Sequence, residues 1–405
     1  MLSRRKQPTV WLHDGGATMK VLHFYKTYLP DGHGGAQRVI FEICEGTRRY
    51  GVDCEVLALS SLDSETRMVG QHRAHFQRRA MKFASTDLSM SAVGRFRELA
   101  ASADVVHYHY PWPMMDLAHF LVLHGKPSVV TYHSDIVRQR MLYRFYKPIM
   151  HKFLSSADVI VATSPSYVRT SPVLRRYRDK VRVIPIGIDE APLRDPDPVL
   201  LERWRAKVGS GFFLFIGVAR YYKRLDVLLE AARGTDMPVV IAGADSDDVR
   251  AHQSRGETRS GNITLTGAIS DADKAALLHL CGAVVLPSSL RSEAFGIVLL
   301  EGAMLAKPLI CCELGTGTTY VNIDGLTGFA VPPGDVGALR SAMRRLHGNP
   351  DLARRLGYNA RRRYLELFTG DRMARGYAGI YEEVSGMPMH LTPAGIPRHA
   401  LMRAR

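Results

Sequence analysis

From residue 21 to residue 332 the chain alternates short apolar runs with helix-like amphipathic stretches, which restricts its possible folds more than any single motif does. VLHFY (21–25), CEVLAL (54–59), ADVVHYHY (103–110), PSVVTYH (127–133), DVIVAT (158–163) and VRVIPIG (181–187) read as buried strands. A second series follows in FFLFIG (212–217), PVVIAG (238–243), NITLTG (262–267), AVVLPS (283–288), PLICC (308–312) and GFAVP (328–332). Two successive sets of βα units predict an α/β protein with two doubly wound parallel sheets, each Rossmann-like. At 405 residues the chain also exceeds what one hydrophobic core usually serves. The break falls in the acidic, proline-rich GIDEAPLRDPDP at 187–198. The expected domains are therefore 19–187 and 188–360, with helices at 361–385 packing back on the first domain, a disordered extension at 1–18 and a loose tail at 386–405. Ligands of such sheets bind beyond the carboxyl ends of the strands, so a site is expected in the cleft between the domains.

The formal net charge of +15 predicts an anionic partner, whether nucleic acid, anionic lipid or a phosphorylated substrate. Cations cluster at 67–79, at 340–363, and in DIVRQRMLYRFYKPIMHKFL from Asp135. The last of these interleaves them with Tyr143, Phe145, Tyr146 and Phe153, as an interfacial membrane helix would. No apolar run approaches the roughly 20 residues of a spanning helix. The cysteines Cys44, Cys54, Cys281, Cys311 and Cys312 lack zinc or redox spacing and fit a reducing compartment. Four sit in core contexts, and Cys312 is expected to face outward. Two apparent metal sites are discounted. HYH at 107–109 is expected to place its imidazoles on opposite faces of a strand, and DSD at 245–247 has no second cluster to complete a coordination shell.

Four stretches lie where a ligand would bind. In EAFGIVLLE, a helix carrying both Glu293 and Glu301 would separate them by roughly 12 Å along its axis. Paired carboxylates acting on one glycosidic bond stand about 5 Å apart, so these two would grip different parts of one long ligand. The N–H groups of Phe295, Gly296 and Ile297 would open that helix toward a phosphate; an acidic N-terminus that merely matches the helix dipole is the plainer alternative. In GVARYYKRLD, Arg220 and Lys223 follow the second domain's first strand, where paired cations neutralise a diphosphate. Gly34 and Gly35 follow the first strand of the chain without forming the dinucleotide fingerprint. They permit close approach to a phosphate or sugar, or serve a turn. In TYHSD, His133 ends a strand and Asp135 is expected to begin the basic helix; the imidazole would bond a hydroxyl or carry a proton, or stand idle beside a helix cap.

Together these motifs, with TGFAVPPGD, resemble the retaining glycosyltransferases of GT-B architecture, family four, from Met19 to about Tyr381. The resemblance implies a role for each matching residue: Glu293 on donor-sugar hydroxyls, Glu301 on the nucleotide ribose, Arg220 and Lys223 as a diphosphate clamp. It also implies Gly34 and Gly35 as the loop over the donor, His133 near the C6 hydroxyl, and Thr266, Gly267 and Ile269 along the base. It implies neither metal nor cofactor, and front-face substitution in which the leaving diphosphate takes the acceptor's proton. HFYKTYLPDGHGGAQRVI, TYHSDIVRQ and ELGTGTTYVNIDGLTGFAVPPGD are similar to bacterial mannosyl- and rhamnosyltransferases of surface polysaccharide. That implies a GDP-sugar donor, a polyprenyl-diphosphate-linked glycan acceptor, no nucleic acid, and work at the inner, cytoplasmic face of the membrane. Gln37 and Arg38 depart from the acidic residue that many relatives carry after the glycines. A nucleotide-sugar 2-epimerase shares the architecture but needs acid–base residues about C2. A basic membrane-binding protein without catalysis would leave Glu293, Glu301, Arg220 and Lys223 unexplained.

Overall fold

The computed structural model describes residues 18–32, 34–83, 86–136, 140–244 and 261–389. The expected N-terminal extension before residue 18, the tail from residue 390 and the DSD segment lie outside them. The first sheet has eight strands: β1 (Met19–Phe24), β2 (Val52–Ser60), β3 (Glu65–Val69), β4 (His72–Arg78), β7 (Val105–Tyr110), β8 (Ser128–Tyr132), β9 (Val159–Ala162) and β10 (Val181–Val183). Their order is β10-β9-β8-β7-β1-β2-β4-β3. A hairpin of β5 (Met81–Phe83) and β6 (Thr86–Leu88) stands apart. The sheet is parallel except at its edge, where β3 runs antiparallel to β4. The two edge strands occupy the stretch expected only as a basic cluster. β3 is nowhere fully buried, so it carries no apolar run by which to announce itself.

The second sheet, β11 (Phe213–Ile216), β12 (Val239–Ala242), β13 (Ile263–Gly267), β14 (Ala283–Leu286), β15 (Leu309–Cys312) and β16 (Gly328–Val331), is wholly parallel. Its order, β13-β12-β11-β14-β15-β16, reverses between β11 and β14, and a crevice opens beyond their carboxyl ends. Strands β12, β14 and β15 are buried at every residue, as continuous apolar runs require.

Several expectations are corrected. Cys312 is buried against Phe329 and its neighbours, because a strand covered on both faces has no outward side. The basic helix spans Arg140–Ser156, with Asp135 ahead of it. Of its aromatics, Phe153 is fully buried, Tyr146 donates a hydrogen bond to the buried Asp116, and Tyr143 packs on the core. Phe145 alone stands out, at 78% exposure, flanked on the same face by Leu142 and Ile149. The expected boundary at 361 falls inside one unbroken helix, Pro350–Leu367, which packs in the second domain against the helix Ile297–Met304. The chain returns to the first domain only afterwards, in the helix Gly370–Ser385, which lies on the helix Gly35–Thr47. Both crossings between domains run side by side. The Ile188 N–H donates to the Phe368 carbonyl, and the Ile188 carbonyl accepts from the Gly370 N–H and the Tyr364 hydroxyl.

Candidate active site

Strands β11 and β14 deliver the two central loops of the second domain. After β11 the chain makes one 3₁₀ turn, Tyr221–Lys223, that brings the Lys223 ammonium back over Gly217. A Cβ at Gly217 would lie 2.4 Å from Nζ, so only glycine leaves the amine that place. Arg220 is exposed, and neither it nor Lys223 has a carboxylate within 4.0 Å among the described residues. After β14, the Ser289 N–H donates to the Tyr222 carbonyl and ties the two loops together.

Glu293 sits in the β14 loop, not on the helix as expected; the helix begins only at Ile297. Its carboxylate accepts from the Ser288 hydroxyl at 3.2 Å. Burial raises its pKa, against which the Lys223 charge, Ser288 and the Gly296 N–H favour the ionised form. Gly296 holds a φ of 80°, and a side chain there would meet Leu286 at 2.7 Å. Phe295 is buried beneath the loop, leaving Ile297 at its rim. Thr316 donates to the Glu293 carbonyl from the loop after β15, a support the sequence did not signal.

Glu301 lies one turn into the helix Ile297–Met304, where Lys274 binds it at 2.9 Å. Both line a pocket with Arg38, Asp189, Leu193 and Asp271. Thr266 and Gly267 end β13, and Ile269 packs on the core just before the helix Asp271–Leu280 that carries Lys274. The nucleoside-binding candidates thus converge on one side of the crevice.

From the first domain, Gly34 caps and Gly35 opens the helix Gly35–Thr47, and a Cβ on Gly35 would touch Ile297 at 3.4 Å. The glycine loop and the second domain's helix N-terminus therefore face each other. Gln37 is spent on Thr27, at 2.6 Å, and Arg38 pairs with Glu42 at the pocket edge. His133 directly follows β8, partly exposed, and burial pulls its pKa down to about 3, so it is a neutral imidazole at physiological pH. It makes no hydrogen bond to Glu293, Arg220 or Lys223 among the described residues; its Nε2 instead meets His109 Nδ1 at 3.0 Å. Two residues after His133, Asp135 forms an ion pair at 3.0 Å with Arg291, two residues before Glu293. That bridge, invisible to sequence spacing, sets the two loops opposite one another.

His107 and His109 are not on opposite faces: two residues apart on a strand, they share one, with ring centroids 4.4 Å apart. They group with His23, one ring nitrogen of which lies within 4.8 Å of the thiols of Cys44 and Cys54.

Comparison with known proteins agrees with this geometry. Residues 33–191 match the model of Glycosyltransferase Family 4, and residues 200–363 that of Glycosyl transferases group 1. The chain is 53% identical over 353 residues to D-rhamnosyltransferase WbpZ of Pseudomonas aeruginosa, covering 87% of this chain and 92% of the relative. It is 43% identical over 365 residues to O-antigen chain mannosyltransferase C of Escherichia coli, covering 90% and 98%. Among solved structures, sucrose-phosphate synthase from Thermosynechococcus elongatus superimposes with a TM-score of 0.74 at 18% identity, covering 91% of this chain and 99% of that one. Anabaena HepE in complex with UDP and glucose gives 0.70 at 17%, covering 89% and 99%. Two facing Rossmann-like domains, a crevice that gathers the matching residues, and identity along nearly the whole chain lead to one conclusion: the chain belongs to glycosyltransferase family four and is a glycosyltransferase of GT-B architecture.

Proposed function

We propose that the enzyme moves a hexose, mannose or rhamnose, from a GDP-sugar to a polyprenyl-diphosphate-linked glycan during surface polysaccharide synthesis, with retention and without a metal. The observation that carries this reading is the pair Arg220 and Lys223, cations without ion-pair partners among the described residues at the end of β11, with Glu293 beside Lys223 across the topological switch. Such a pair stabilises charge on a departing diphosphate without a divalent ion. Glu293 then accepts from sugar hydroxyls, and Glu301 with Lys274 holds the ribose end. The diphosphate itself takes the proton of the attacking hydroxyl. The names of the two near relatives support the sugar and the pathway class.

The acceptor enters from the first domain at the inner face of the cell membrane. Supporting this, Leu142, Phe145 and Ile149 are exposed on one face of a helix that also carries Arg144 and Lys147. Leu117 and Leu121 of the adjacent helix Pro113–Val122 are also exposed. Among the described residues no helix is long and apolar enough to cross a membrane.

The test is a thermal-shift and calorimetric panel of GDP, UDP, ADP and NAD without added metal, on the wild type and on Lys223→Ala, followed by transfer assays with GDP-mannose and GDP-rhamnose. Selective stabilisation by GDP that the variant loses, with metal-free transfer from one of the two sugars, is the expected result. Binding of anionic vesicles without any nucleotide response would overturn it.

A further inference from the structure

Three imidazoles run from the cleft into the first domain as a single hydrogen-bonded file across β8, β7 and β1. His133 Nε2 is 3.0 Å from His109 Nδ1, and His109 Nε2 is 3.0 Å from His23 Nδ1. The rings stack at centroid separations of 5.2 and 5.3 Å, inclined by 23° and 16°. His109 and His23 are completely buried. A neutral imidazole has one N–H and one bare nitrogen. Each contact in the file therefore needs a proton on one side only, and the file has just two arrangements. Either every ring carries its proton on Nδ1, or every ring carries it on Nε2.

The buried end chooses between them. His23 Nε2 has no hydrogen-bond partner, and a ring nitrogen of His23 lies within 4.8 Å of the thiols of Cys44 and Cys54. A thiol is a weak donor and a weak acceptor. A proton on Nε2 would be a buried N–H without an acceptor, whereas a bare Nε2 leaves only a lone pair unmatched, and orphaned donors are the rarer and costlier case. The arrangement with the proton on Nδ1 throughout is favoured. At the open end, His133 Nδ1 has no hydrogen-bond partner among the described residues, so its N–H is free to meet a ligand.

We propose that His109 and His23 are positioning residues that fix the tautomer of His133, so that His133 meets the bound nucleotide sugar as a hydrogen-bond donor from Nδ1 and not as a base. The identity of the ligand rests on the function proposed above; the tautomer does not. His107 serves as the internal control. It packs tilted against His23 and stacks on His109, yet its nitrogens go to the hydroxyls of Tyr381 and Thr131, which leaves it outside the file.

The experiment is long-range proton–nitrogen correlation on histidine-labelled protein, with the His133 signals assigned by their absence in His133→Asn. The expected wild-type result is a protonated Nδ1 and a bare Nε2 on His133. His109→Phe should abolish that preference and raise the donor KM roughly fivefold, the size of one neutral hydrogen bond. His109→Asn, whose amide nitrogen replaces Nδ1 as donor, should restore both, and His107→Gln should leave the tautomer as it is. A protonated Nε2 on wild-type His133, or an unchanged tautomer in a folded His109→Phe, overturns the proposal. If His109→Phe does not fold, the wild-type spectrum and His109→Asn decide. Should the wild type bind no GDP-sugar while the spectrum is as expected, the functional reading fails and the relay stands.

Discussion

In the second domain the strands β12, β14 and β15 are buried end to end by Val, Ile, Leu, Ala and Cys, and its charged groups wait in the loops beyond. In the first domain the same architecture buries His23, His72, His75, His107 and His109 within its sheet. One half keeps its polar chemistry outside an apolar frame. The other threads it through the frame, where each polar atom needs a partner and each partner comes from a neighbouring strand or helix. The contrast teaches that loop-borne chemistry tolerates an ordinary core, whereas core-borne chemistry makes stability depend on protonation.

The largest effect should come from the loop-borne side. Lys223→Ala is expected to lower turnover by about 100- to 1,000-fold, as loss of one preorganised transition-state contact does, with a melting temperature close to wild type. A large loss of stability instead would mean that the second domain, too, has built its chemistry into its frame. Next comes acid. Burial holds His107 and His109 well below the usual histidine range and His133 at about 3. The unfolded chain, with ordinary values near 6.5, then binds more protons than the folded one, so stability is complete above about pH 6.5 and falls below it. From pH 7 to pH 5 the His133 ring alone should account for a loss of about 2 kcal/mol, with His107 and His109 acting in the same direction. Hydrogen exchange at the two pH values should show amides of β1, β7 and β8 losing protection before those of β11 and β14; equal loss in both sheets would erase the comparison.

A smaller effect separates the two glutamates. Glu301→Ala is expected to weaken donor binding about tenfold, the scale of a charged hydrogen bond, while leaving turnover of bound donor largely intact. Glu293→Ala should do the reverse, and equal losses of nucleotide affinity would sink that division. Smallest is Arg291→Ala, which removes a partly exposed ion pair with Asp135 and should cost no more than about 1 kcal/mol. Its signature is a modest rise in donor KM without a change in the acid response.

The twelve apolar runs announced the main strands because a strand covered on both faces has little choice but to be apolar. The loops after β11 and β14 were legible for the related reason that a doubly wound sheet puts its ligand there. β3 and β4 were hidden because an edge strand can be as polar as a loop. Lys274 at Glu301 and Arg291 at Asp135 were hidden because they join segments 27 and 156 residues apart, which no local spacing encodes. The histidine file was misread at 107–109 and could not have been completed from sequence, since it depends on β1 lying beside β7, and β7 beside β8.

The paired crossings at Ile188 and Gly370 make the link between domains a two-stranded hinge rather than a tether. Opening the cleft has to bend both strands about one shared axis, which leaves a swing and suppresses free tumbling. The helix beyond that hinge, Gly370–Ser385, is a strap belonging to the half it returns to: Tyr377 and Tyr381 reach from it to Thr131 and His107. A chain cut ahead of Gly370 would therefore lose its second hinge strand and, in the same stroke, unroof the histidines. The helix Gly370–Ser385 couples the mechanics of closure to the proton inventory of the first domain.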